Sequence, residues 1–253
     1  MGDEAMSMTD SVGTISGLWI YPVQSLRGQA MAALDFRSGG LTGDRGYGIA
    51  DLETGIMVGS SSAKRAWRPL VTWEAVYLRP LQDPVDLPPV EIRFPDGTQV
   101  TSDDAGIHRR LSDRLGRAVE LQRNDGSRAQ KRYALSHCHL LTSATLRRLA
   151  AAYPEGRFDP VRFRPNIVLD CSDRVGFIEK DWLGRTLAAD AGVRLDVTAE
   201  CVRCAMPTRA QGDLPDDPGI LHTVTALNHS NAGIYASVAA TGMAAMGDAM
   251  RFA

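Results

Sequence analysis

The chain has 253 residues, 44% of them hydrophobic and 23% charged, a soluble globular composition long enough for one large domain or two modest ones. Its 28 basic and 30 acidic side chains are interspersed and sum to a formal charge of −2. No basic face or tail marks the chain for nucleic acid or an anionic membrane, so the expected partners are small molecules or other proteins.

The opening segment MGDEAMSMTDSV places Asp3 and Glu4 where a signal peptide needs positive charge followed by an apolar run. No stretch approaches the roughly 20 apolar residues of a membrane span. Met6 stands where a myristoylation pattern requires serine or threonine. The expectation is a cytoplasmic protein with a flexible N-terminus over residues 1–12.

From Thr14 onward the pattern is mostly of strands. TISGLWIYPV, then AMAALDF closed by Gly39-Gly40, then YGIADL closed by ETG, alternate β-branched and aromatic residues with turn formers. LVTWEAVYL and VEIRFPDGTQV continue the series, the second folding at the Asp96-Gly97 hairpin signal. Asp103 and Asp104 can cap a helix running to about Leu115, with Ile107, Leu111 and Leu115 on one face and Gly116 as its stop. AVELQR reads as a further strand.

The polar, glycine-containing stretch Asn124–Lys131 is the best internal boundary, dividing a first domain (13–125) from a second (126–253). Beyond it HCHLLT reads as a strand and SATLRRLAAA as a helix from Ser143 to about Ala152, built on a capping residue and strong helix formers. PNIVLD and VRLDVTAEC are strands, Asp217-Pro218 opens a short helix, and GIYASVAATGMAAMGDAMRF reads as two strands around glycine turns. The fold class expected is mainly β with short helices (α+β), a barrel or sandwich rather than a parallel sheet.

AECVRCAMPTR (199–209) holds two of the four cysteines, Cys201 and Cys204, at C-x-x-C spacing. A structural zinc site needs a second close pair, and Cys138 and Cys171 lie far apart in the sequence. An iron–sulfur cluster needs four thiolates in a cluster spacing that the chain lacks. A thioredoxin-like pair opens a helix, whereas Ala205-Met206-Pro207 follows here. Small core thiols are the simplest account of Cys138 and Cys171. Cys204 differs, because adjacent Arg203 favours a thiolate; a single metal–thiolate bond, with an organic cofactor supplying other ligands, stays open.

Several segments together resemble the MOSC family, named after the C-terminal domain of molybdenum cofactor sulfurase and including the mitochondrial amidoxime reducing component. They are IYPVQSLRG (20–28), GLTGDRGYGIAD (40–51), RFRPNIVLD (162–170), DWLG (181–184), CVRCAMPT (201–208) and GMAAMGDAMRF (242–252). They follow the family's order over nearly the whole chain. The resemblance implies a β-rich N-terminal domain followed by a MOSC β-barrel. It also implies a molybdenum cofactor (a molybdenum–pterin) between them, with Cys204 as the metal ligand and catalytic thiolate.

By the same resemblance Gln24, Ser25, Arg45, Ser136, Arg164, Asn166, Val202 and Arg203 line the cofactor, whose terminal phosphate calls for arginine forks and hydroxyls. One position departs: members read Tyr-Pro-Val-Lys-Ser where this chain has Tyr21-Pro22-Val23-Gln24-Ser25. Replacing a cation by an amide there weakens phosphate binding by about 1–2 kcal/mol, with Arg27 or Lys64 as candidate compensators. The implied activity is an oxidoreductase acting on N-hydroxylated small molecules at the N–O bond. A separate ferredoxin or flavoprotein would supply electrons, because the chain carries no iron–sulfur or flavin motif. Two other readings stand beside it: a sulfur transferase carrying a persulfide on Cys201 or Cys204, and a cofactor carrier without turnover.

Overall fold

The computed structural model describes residues 11–59, 65–83, 86–124 and 137–253. The first half runs through β1 (Ser11–Ile20), β2 (Gln29–Ala30), β3 (Ala33–Arg37), β4 (Gly40–Leu41), β5 (Tyr47–Asp51), a 3-10 helix (Arg65–Thr72), β6 (Glu74–Tyr77), β7 (Val90–Arg93), β8 (Gln99–Thr101), α1 (Ile107–Leu115) and β9 (Val119–Arg123). The second half contributes β10 (Cys138–Thr142), α2 (Ser143–Ala152), α3 (Pro160–Phe163), β11 (Ile167–Asp170), a 3-10 helix (Ile178–Trp182), β12 (Thr186–Ala189) and β13 (Arg194–Val202). A 3-10 turn (Met206–Thr208), α4 (Pro218–Asn228), β14 (Asn231–Ala240), β15 (Gly242–Ala245) and β16 (Ala249–Phe252) complete it.

Seven strands, β11-β10-β14-β13-β12-β16-β1, close into a barrel because β1 pairs with β16 on one side and β11 on the other. All neighbours are antiparallel except β10 and β11. Val12 and Ile15, then Leu18 and Ile20, face inward from β1; a register shift between Ile15 and Gly17 takes up the extra residue and bends the strand. The two halves of the sequence interleave. β1 belongs to the barrel of the second half, and β15 pairs with β3, which also pairs with β4. β5–β9 and β6–β7–β8 form two smaller antiparallel sheets.

Local signals set the helices. Ile107, Leu111 and Leu115 bury one face of α1, which Gly116 ends in the left-handed conformation. The Thr142 hydroxyl, one residue before the cap expected at Ser143, accepts from Thr145 N (3.1 Å) and starts α2. Asp217 accepts from Gly219 N (2.9 Å), with Pro218 in the first turn of α4. The Asp96-Gly97 turn joins β7 to β8, closed by Phe94 N to Thr98 O (2.9 Å).

Three expectations are corrected. β1 starts at Ser11 and Val12 is buried, so residues 11 and 12 do not belong to the flexible N-terminus expected over 1–12, whose residues 1–10 lie outside the described residues. LVTWEAVYL is a strand only from Glu74, its first residues completing the 3-10 helix around Pro69. The tail forms three strands rather than two, because β14 and β16 belong to the barrel while β15 crosses to β3. β12 and α3, each of four residues, were not expected, although Asp159-Pro160 opens α3 as Asp217-Pro218 opens α4. The boundary stretch from Asp125 onward lies outside the described residues, as do Ser136 and Lys64.

Candidate functional site

β13 carries Cys201 into the barrel wall and ends at Val202, whose side chain is exposed. The chain then turns: Arg203 N donates to Ser230 O (2.7 Å), and Thr208 N to Ala205 O (3.2 Å) closes the 3-10 turn at Pro207. The two thiols are thereby separated, Cys201 fully buried and Cys204 exposed.

Arg203 folds back toward the barrel. Its Nη1 donates to Cys201 Sγ (2.8 Å) and its Nη2 to Phe163 O (2.7 Å). Its Nε is a buried donor without a partner among the described residues. The side chains of His139 and Tyr235 also hydrogen-bond to Cys201. Burial alone raises the Cys201 thiol, but the Arg203 guanidinium and the His139 ring outweigh it and lower Cys201 to about 6. The His139 ring lies between two carbonyls, with Nδ1 3.3 Å from Arg164 O and Nε2 3.3 Å from Ala232 O. Gly233 makes that approach feasible, since a Cβ there would run into the ring.

Beside this lies a second arginine pair. The Arg164 guanidinium sits over the Tyr21 ring at 4.1 Å and the Arg45 guanidinium over the same ring at 5.6 Å. Arg164 Nη1 also donates to Leu26 O, and Arg45 pairs with Asp44. Asp44 in turn accepts from Tyr21 N (2.8 Å), and the Tyr21 hydroxyl donates to Pro165 O (2.9 Å). Burial is the main cause that lowers Arg164 to about 10; Arg45 and Arg203 act in the same direction, while Tyr21 and Asp44 oppose them. Three guanidinium groups thus share a region whose nearest carboxylate is Asp44, an arrangement that an added anion would relieve.

Six non-glycine residues have positive φ among the described residues, and Ser25 (75°), Arg45 (54°) and Arg164 (54°) are three of them. A fourth, Ser230, supplies the carbonyl that holds Arg203 N. Side-chain-bearing residues in the left-handed region carry a conformational cost of about 1–3 kcal/mol each and persist where the surroundings impose them. For Arg164 the cause is local: Asp159 caps α3, Pro160 begins it, and Arg164 ends it in that conformation.

The candidate residues therefore divide. Arg45, Arg164, Arg203 and Cys204 come together around Tyr21 and the loop after β13. Ser25 is buried nearby in sequence, its hydroxyl donating to Val58 O (3.1 Å), and Gln24 is half-buried with its N–H bonded to Tyr47 O (2.8 Å). The Asn166 side chain is fully buried and committed to the barrel: Oδ1 accepts from His139 N (3.1 Å) and Nδ2 donates to Trp19 O (3.2 Å), tying β1 to β10. Among the described residues no three His, Cys, Asp or Glu side chains converge to hold a metal ion. No helix of the described residues is long and apolar enough to cross a membrane.

Sequence reasoning missed Tyr21, Asp44, His139, Tyr235 and Arg162. Tyr21 and Asp44 stand inside the quoted segments IYPVQSLRG and GLTGDRGYGIAD, where a buried aromatic beside arginines was the available signal. The carboxylates of the segment Arg209–Gly219 are engaged. Asp213 pairs with Arg157 (2.8 Å), Asp216 accepts from Ala210 N (3.2 Å), and Asp217 caps α4.

A family model described as the MOSC domain matches residues 133–251, and one described as the MOSC N-terminal beta barrel domain matches residues 12–68. A crystal structure of the YuaD protein from Bacillus subtilis superimposes with a TM-score of 0.51, covering 94% of this chain and 93% of that one at 14% identity. At that identity the likeness concerns the fold. No curated protein matches the chain.

Proposed function

Because the chain belongs to the MOSC domain family, which is associated with the molybdenum cofactor, we propose that it is a molybdenum-cofactor-binding oxidoreductase. Its substrates would be N-hydroxylated compounds such as amidoximes, hydroxylamines and hydroxamic acids, reduced at the N–O bond. The observation that carries the reading is the exposed Cys204 thiol beside three clustered guanidinium groups, one with an unpartnered buried N–H.

The residues present fit the group. Arg45 and Arg164, stacked on Tyr21, and the free Nε of Arg203 are donors for a phosphate, which would supply an anion for Arg164, the one of the three with no ion pair or thiolate partner among the described residues. Cys204 stands at the end of β13, open to solvent, as a soft ligand for the metal. When bound, the cofactor would supply two-electron redox chemistry suited to reducing an N–O bond. The chain's part is to hold the phosphate, to present one thiolate, and to keep Cys201 out of the ligand set by tying it to Arg203, His139 and Tyr235. Electrons would come from a ferredoxin or flavoprotein partner.

The test is turnover of an amidoxime by cofactor-loaded protein with reduced viologen as donor. The reading expects amidine product from the wild type and none from Cys204→Ala. Loaded wild type that turns over none of the three substrate classes would make the protein a cofactor carrier.

One observation favours a second reading: Cys201, lowered to about 6, lies three residues from an exposed thiol, a pair suited to forming and resolving a persulfide. In that case protein prepared without molybdenum would carry persulfide on Cys204 after exposure to a sulfur donor. Mass spectrometry of the Cys204 peptide distinguishes the two.

A further inference from the structure

Arg162 is the largest fully buried side chain among the described residues, and the function proposed above does not use it. It lies in α3, the four-residue helix between the Asp159 cap and the left-handed Arg164. Its Nε donates to Arg157 O (2.8 Å), Nη1 to both Pro207 O (3.0 Å) and Arg209 O (3.2 Å), and Nη2 to Pro215 O (2.9 Å). No carboxylate forms an ion pair with it among the described residues. Burial lowers it, although Asp217, Asp159 and Asp216 act on it from a distance without pairing. A charge taken out of water to hydrogen-bond only carbonyls is a costly way to fill space, and a leucine would fill it without that desolvation.

What the guanidinium accomplishes is geometric. Pro207, Arg209 and Pro215 belong to the segment that follows Cys204, where no ladder runs, and their carbonyls face inward. A planar fork reaches all three at once, and the five N–H groups of an arginine leave few spare after four bonds. The same short helix also anchors the segment on the other side of Cys204, because Phe163 O accepts from Arg203 Nη2. Cys204 is thus an exposed residue on a loop fastened before and after itself to one element.

We propose that Arg162 is a positioning residue: through its bonds to Pro207, Arg209 and Pro215 it fixes the loop after Cys204, so that the thiol is held in place before any ligand arrives. Its consequence for the metal rests on the reading of Cys204 as a molybdenum ligand; the loop-fixing itself does not. Lysine cannot replace it, because a single ammonium nitrogen cannot reach all four carbonyls that the guanidinium meets around its edges from Nε, Nη1 and Nη2.

The test is hydrogen–deuterium exchange on cofactor-free protein, wild type and Arg162→Lys. In wild type, the hydrogen-bonded amides of Thr208, Arg209, Gln211 and Leu214 exchange as slowly as those of β13 and β14. In Arg162→Lys they exchange about tenfold faster or more while both strands keep their protection, and Cys204 alkylates with altered rate. Loaded Arg162→Lys then holds less molybdenum per pterin than wild type. Loop exchange that is already fast in wild type, unchanged in the variant, or raised equally across the barrel overturns the proposal. Should the variant fail to fold, the wild-type arm decides: slow loop amides support the proposal and fast ones sink it. The exchange arm needs no cofactor, so a chain that never binds molybdenum leaves its result intact, and failed exchange leaves the molybdenum reading standing.

Discussion

Cys138 and Cys171, at the barrel strands β10 and β11, and Cys201 and Cys204, at the end of β13, are the same side chain in two surroundings. Burial pushes Cys138 up to about 12 and Cys171 up to about 11, the second although Arg174 pulls it the other way. Cys201 is buried just as completely, yet it is lowered to about 6 because Arg203 and His139 meet it. The balance decides a thiol's character: burial outweighs the one cation at Cys171, and Arg203 with His139 outweighs burial at Cys201. Three residues further on, Cys204 is exposed, while the Arg203 side chain turns away from it to Cys201 and Phe163.

The largest effect expected from this contrast is in reactivity. Alkylation of native, cofactor-free protein should label Cys204 at least about a hundredfold faster than Cys138 or Cys171, which react only through opening of the barrel. Peptide mapping after a short pulse reads the ratio, and comparable labelling of all four would erase the contrast.

Next comes pH. The folded Cys201 thiol lies below its unfolded value, so its contribution to stability is full above about pH 8.5 and is lost as pH falls through about 6. The stability gap between wild type and Cys201→Ala should widen as pH rises across that window, measured by urea unfolding. A gap that stays flat means the sulfur is neutral throughout.

Serine at the two core positions sharpens the comparison. Cys138→Ser and Cys171→Ser should each cost about 1–3 kcal/mol, because a shorter, more polar hydroxyl is buried where the carbonyls of Ala236 and Leu169 stand 3.8 and 3.7 Å from the sulfurs, whereas Cys204→Ser should stay within about 0.5 kcal/mol. The smallest effect concerns the departure at residue 24: Gln24→Lys should tighten retention of the phosphate-bearing cofactor by about tenfold, read as pterin retained on dilution.

How much of this the sequence reveals depends on how local the cause is. α1 and α2 were legible because a 3.6-residue period and their flanking residues suffice. The β7–β8 hairpin was legible from Asp96-Gly97. A barrel was expected, but the strands that close it were not legible, since closure depends on β1 meeting β11 and β16 from the far end of the chain. The apolar run at Leu70–Trp73 looks like strand but packs as a 3-10 helix with Pro69 inside it, and periodicity over so few residues cannot separate the two.

The site shows the same division. Arg45, Arg164, Arg203 and Cys204 were legible through ordered motifs, while the stack on Tyr21 and the His139–Cys201–Tyr235 network join residues distant in sequence. Arg162 was within a quoted motif, but only the fold reveals that its partners are carbonyls.

The central claim is that two cysteines three residues apart have opposite tasks, Cys204 holding metal and Cys201 holding Arg203. Molybdenum per folded chain in Cys204→Ser and Cys201→Ser, each purified from a cofactor-making host, tests it most directly. The account predicts that Cys204→Ser loses the metal while Cys201→Ser keeps most of it. Equal molybdenum in both variants, whether retained or lost, would contradict it.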